Sequence, residues 1–133
     1  RRFWNGPPGC CDFYGSNVDD VGYLSGLIDE IGELGTIANG KVYFTGHSNG
    51  GFMSYRMACE RPDVVRGIAS LAGSGYPNAE DCNSEEPVSV LQIHGVLDAT
   101  IPYDKAFQLI IPQTEDQAFQ SILSVGNRKH EIR

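Results

Sequence analysis

Gly46-His47-Ser48-Asn49-Gly50 spells G-x-S-x-G, the pattern of a sharp turn that carries an exposed serine between a strand and a helix. The glycines suit such a turn because its backbone crowds atoms that a Cβ would push apart. Glycine makes up 16 of the 133 residues, so the pentapeptide alone is weak and its flanks decide. Lys41-Val42-Tyr43-Phe44-Thr45 precedes it, a β-branched and aromatic run bounded by Asn39-Gly40, which predicts a buried strand. Gly51 to Glu60 follows, rich in helix formers, with Pro62 just past the expected end. Strand, glycine turn and helix make Ser48 a candidate nucleophile. The helix N-terminus directs N–H groups and a positive dipole end toward it. The backbone N–H of Asn49 is then placed to donate to a developing oxyanion.

Outward from this turn the chain alternates. Val21, Leu24, Leu27, Ile28, Ile31 and Leu34 recur at helical spacing and predict a helix over 18–34. Asp19-Asp20 open it, where carboxylates complement the dipole; no third ligand nearby supports a metal site. Residues 1–17 read as a loop. Residues 67–73 read as the next buried strand and 87–95 as a third. Residues 73–86 read as a loop, and about 115–125 as a closing helix. Strands alternating with helices imply an α/β fold, a mostly parallel sheet with crossover helices, in one domain.

Composition narrows the partners. With 10 basic against 17 acidic residues the net charge is −7, so no basic stripe exists to meet the phosphates of a nucleic acid. No run of about 18 apolar residues is present to span a membrane. Cys10, Cys11, Cys59 and Cys82 fit no zinc spacing, and their even number favours two disulfides in an exported protein, with three connectivities open. The chain starts at Arg1-Arg2-Phe3-Trp4, without a leader of its own, and an upstream signal peptide stays open.

A serine hydroxyl needs a histidine as base and a carboxylate to orient that histidine. Asp98 lies 50 residues after Ser48, just past the third strand, and is the candidate acid. Asp104, beyond Ile101-Pro102-Tyr103, is a weaker one. The histidines fit less well. His47 adjoins Ser48, and its side chain is expected to point away from the serine's face. His94 precedes Asp98, the wrong order for the base, and is expected to shape the Asp98 loop. His130 sits in the charged tail Asn127-Arg128-Lys129-His130-Glu131 with no strand leading into it. The catalytic histidine is therefore expected beyond residue 133.

Cys10-Cys11, Val18-Asp19-Asp20-Val21-Gly22-Tyr23-Leu24, the segment from Val42 through Gly51, and Ile93-His94-Gly95-Val96-Leu97-Asp98 stand in one order and spacing. In these the chain resembles the polyhydroxybutyrate depolymerase and feruloyl-esterase-like branch of the α/β-hydrolases, over about residues 4–105. The resemblance implies a secreted carboxylic ester hydrolase working through a serine nucleophile and an acyl-enzyme, with no metal or organic cofactor. It implies Ser48 as nucleophile, Asp98 as acid and the Asn49 backbone as half of the oxyanion hole. Its substrates would be polyesters or plant cell-wall esters such as feruloyl or acetyl-xylan esters. Members of that branch carry leading strands before the position of Trp4 and a late histidine in a Gly-His context. Neither is found here, so residues 1–133 are expected to be the central part of a single catalytic domain, inactive alone. A serine peptidase of the same architecture would show the same turn. A non-catalytic binding module on a hydrolase scaffold is the other alternative, though it would need neither Ser48 nor Asp98. Trp4, Phe13, Tyr14 and Tyr103 read more simply as loop and core aromatics than as a substrate surface.

Overall fold

A computed structural model describes residues 2–8, 10–35, 37, 41–82, 86–104 and 120–125. Helix α1 spans Asp20–Leu34, strand β1 Val42–His47, helix α2 Asn49–Glu60, strand β2 Val65–Leu71, strand β3 Ser89–Gly95 and strand β4 Gln120–Val125. A 3₁₀ turn, Ala79–Asp81, lies between β2 and β3. The four strands form one sheet in the order β1-β2-β3-β4. Each neighbouring pair is parallel, as the alternation of strand and helix requires.

α2 crosses from the end of β1 to the start of β2 and packs on both strands. Its Met53, Tyr55, Met57, Ala58 and Cys59 are buried against Val65, Ile68, Val88 and Val90 in one apolar core. Trp4 and Leu24 pack against the edge of that core. β1 does not behave as a strand buried on both faces. Its residues alternate half-buried and exposed, and Tyr43 is 65% exposed, because α2 covers one face only among the described residues. Within α1, Val21 is buried, whereas Ile31 and Leu34 lie exposed.

Local chemistry sets the start of α1. The Asp19 carboxylate accepts from the Gly22 N–H at 2.8 Å as its N-cap. Buried Asp20 accepts from the Asn5 N–H at 2.6 Å and ties the N-terminal loop to the helix. Both acids thus serve the helix start.

Two sequence expectations are corrected. The helix expected over about 115–125 is, in its described part, strand β4. Gln120 to Val125 pair one by one with Val90 to Gly95. This short segment offers β-branched Ile122 and Val125 to a waiting strand edge, and pairing outweighs a weak helical pattern. The second strand begins and ends two residues earlier than its composition indicates, at Val65 and Leu71. Ala72 then turns the chain at φ 51°.

The cysteines pair as Cys10–Cys11 and Cys59–Cys82. The second bridge joins the end of α2 to the segment before β3, and both of its residues are buried in the core.

Candidate active site

The strand ends define the site. His47 lies beside Leu71, and Leu71 beside Ile93. The segments that follow, Ser48 after β1 and Asp98 after β3, therefore leave from one rim of the sheet. Carboxyl ends of parallel strands are where α/β sheets assemble their sites.

Ser48 adopts φ 51°, ψ −118°. A side chain rarely takes that conformation, which costs about 1–3 kcal/mol and persists only where the surroundings over-determine it. Three close approaches do so. A Cβ on Gly46 would collide with the Gly50 backbone. A Cβ on Gly51 would lie 2.7 Å from Ser70 Oγ and 3.1 Å from Gly73 Cα. The Ser48 N–H donates to Leu71 O at 2.8 Å, which continues the β1–β2 ladder up to the turn itself. The helix then begins at once, with the Phe52 N–H donating to Ser48 O at 3.0 Å. The N–H groups of Asn49, Gly50 and Gly51 precede that first helical bond and, like the first N–H groups of any helix, have no partner within it. This is the geometry of a nucleophile elbow.

Asp98 is held by its own loop. Its Oδ1 accepts from the N–H groups of Thr100 and Ile101, each at 2.9 Å. These two bonds, that from Ile101 foremost, hold its carboxyl below the usual 3.8. Asp98 Oδ2 lies 3.5 Å from His94 Nε2.

His94 itself is fully buried. Its Nδ1 lies 3.0 Å from Gln92 Nε2 and its Nε2 lies 2.8 Å from Ile101 O. An amide nitrogen can only donate and a carbonyl oxygen can only accept. The imidazole is therefore neutral, with its proton on Nε2 donated to Ile101 O. Gln92 Nε2 also donates to Gly73 O at 2.9 Å, which fixes which way the amide faces. Its Oε1 accepts from the Tyr55 hydroxyl. Burial pushes the Tyr55 phenol up, so it stays a donor.

A buried polar chain thus runs from α2, through β3, to the loop carrying Asp98. His94 shapes that loop, as its place in the sequence leads one to expect, and both of its ring nitrogens are engaged in doing so. Gln92 is missing from the sequence reading. Its signal lies in the period of two: Val88, Val90, Gln92 and His94 all point inward. A glutamine in that series must find partners.

Of the other candidates, His130 lies outside the described residues, and His47 is exposed at the end of β1. Among the aromatics, Phe13 and Tyr14 are exposed in the loop. Trp4 stacks on Tyr23 with centroids 6.4 Å apart. Tyr103 meets His94 edge-on at 6.2 Å. Among the described residues no group of three or more potential ligands could hold a metal ion, and no helix is long and apolar enough to cross a membrane.

Fold and elbow define a part of an α/β-hydrolase. Residues 18–122 match the phospholipase/carboxylesterase family, and the chain belongs to that family. Similar proteins include the probable feruloyl esterase C of Aspergillus flavus, 32% identical over 67% of this chain and 32% of its own length. The probable feruloyl esterase C of Aspergillus niger is 29% identical over 71% of this chain and 34% of its own length. Feruloyl esterase C of Emericella nidulans is 29% identical over 67% of this chain and 32% of its own length. The chain spans about a third of the length of these curated relatives.

Proposed function

We propose that this chain is the central part of a secreted serine carboxylic ester hydrolase, with Ser48 as nucleophile and Asp98 as the acid of its triad. The observation that carries the reading is the conformation of Ser48, φ 51° between β1 and α2, on the rim from which Asp98 also rises. A non-glycine residue held in that strained conformation is what a reactive hydroxyl on such a turn requires.

In the proposed reaction Ser48 Oγ attacks the ester carbonyl while a histidine accepts its proton. Asp98 holds that histidine in the right tautomer. The tetrahedral oxygen receives the Asn49 N–H and a second donor from outside residues 1–133. The alcohol leaves with the proton, and water then releases the acid from Ser48. This reading takes the base from beyond residue 133; that His94 is sealed with both nitrogens engaged supports a base other than His94. The substrate class proposed is a polyester or a plant cell-wall ester. The names of the feruloyl esterases support the second; polyhydroxybutyrate rests on the motif resemblance alone. Two disulfides support an exported protein.

The test is labelling of the full-length protein with a fluorophosphonate probe, together with hydrolysis of methyl ferulate and of polyhydroxybutyrate. Ser48→Ala is expected to abolish labelling and hydrolysis alike. A wild-type protein that takes no probe at Ser48 overturns the proposal.

A further inference from the structure

Asn49 stands next to the strained serine, and its side chain is committed elsewhere. Its Oδ1 accepts from the Trp4 N–H at 2.6 Å and its Nδ2 donates to Trp4 O at 2.8 Å. The amide thus closes a ring of two hydrogen bonds with one backbone residue 45 positions away. Nδ2 also lies 3.7 Å from Cys10 Sγ.

The contact belongs to a row along α2. Positions 49, 52 and 56 share one helix face by their spacing of three and four. All three meet the same short segment. A Cβ on Gly6 would lie 3.0 Å from Phe52 Cβ, and Arg56 Nη1 donates to Asn5 O at 2.8 Å. Residues 4–6 therefore lie against this face of α2 as a brace, with Trp4 tied to Asn49 beside Ser48 and Asn5 tied to Arg56 two turns further along the helix. Only the first tie reaches the residue whose N–H would meet an oxyanion.

From this we infer that Asn49 is a positioning residue, whose side chain clamps the first residue of α2 to Trp4 and so holds the Ser48 turn and the Asn49 N–H in register with the reacting carbonyl. The inference rests on the hydrolase reading above. The physical need is clear: a strained turn relaxes unless its flanks are pinned. Asn49 is the first residue after the strain, and oxyanion donors act over a narrow range, about 2.7–3.1 Å from the oxygen.

The experiment compares the wild-type full-length protein with Asn49→Leu, Asn49→Gln and Arg56→Met. It reads p-nitrophenyl butyrate kinetics, the rate of fluorophosphonate labelling at Ser48, and urea unfolding. Asn49→Leu, which removes both bonds to Trp4, is expected to lower kcat on the order of tenfold or more with little change in KM. Labelling should slow in step. Asn49→Gln, which keeps both amide groups, is expected to recover part of the loss. Arg56→Met removes the tie to Asn5 while the Asn49 bonds to Trp4 remain, and is expected to lower the unfolding midpoint while leaving kcat in place. Where Asn49→Leu does not fold, Asn49→Ser removes the same bonds with less bulk and is read by the same criteria. Wild-type kcat and labelling in folded Asn49→Leu, or an equal loss of kcat in Arg56→Met, overturns the inference. A wild-type protein that resists the probe sinks the hydrolase reading instead, and this inference with it.

Discussion

The Tyr55 hydroxyl on α2 donates to Gln92 Oε1 on β3 at 3.0 Å, and both side chains are sealed from solvent. Through Gln92 the same chain reaches Gly73 and His94. Tyr55→Phe leaves the Gln92 oxygen without its donor, and the expected cost is about 1–3 kcal/mol. Urea unfolding measures it. A double-mutant cycle with Gln92→Leu should show coupling between the two sites, since they share one bond.

Stability is expected to fall on acidification, and Asp98 contributes to that fall. Its folded carboxyl titrates below 3.8 because the Ile101 and Thr100 N–H groups favour the ionised form. That contribution is fully present above the ordinary carboxylate value and is lost as pH falls through the depressed folded value. Asp63, beside the Arg61 guanidinium, and Asp12, capped by the Ser16 N–H, shift in the same direction. Asp98→Asn removes one share. Unfolding midpoints of wild type and variant should differ most near neutral pH and converge as pH falls through the depressed folded value. A gap that widens on acidification counts against this account.

Gly73→Ala is expected to destabilise by about 1–3 kcal/mol through overpacking. The new Cβ would stand 2.6 Å from the Gly51 carbonyl carbon and 2.7 Å from Ser70 Oγ. Neither neighbour is the free end of a flexible chain. Chemical denaturation is the check, and an unchanged midpoint shows that β2 and α2 approach less closely than described.

Replacing Cys59 and Cys82 with alanine is expected to cost about 2–4 kcal/mol, since their bridge closes a loop between residues 23 apart. The unfolding midpoint of the double variant, compared with that of the wild type, measures the loss. Adding dithiothreitol should lower the wild-type midpoint and leave the Cys59/Cys82 variant much less affected.

Legibility in the sequence followed distance along the chain. The Ser48 turn could be read because strand, glycines and helix adjoin it, and the strain at Ser48 is what those glycines accommodate. The Asp19 cap is local in the same way. Partners far apart in sequence were not readable. Nothing near Asn49 announces that its amide meets Trp4, and the cysteine pairing stayed open because connectivity is set by the fold. β4 was misread because its partner, β3, lies some 30 residues earlier and supplies the reason to be extended. Gln92 falls between: its inward position follows from alternation, but its partners Tyr55 and Gly73 come from other elements.

The common register of His47, Leu71 and Ile93 has a consequence for change over time. The connections leaving β2 and β3 begin at one level of the sheet and run outward from it. Residues added after Pro77 in the first of these connections, past the packed Gly73 and the buried Tyr76, alter what stands above the rim while every ladder bond below it stays in place. A single residue added inside β2 does the opposite, turning Ile68 and its neighbours to the wrong face. The chain is thus divided into a part that tolerates insertion and a part that does not, and after β2 the boundary lies past Tyr76.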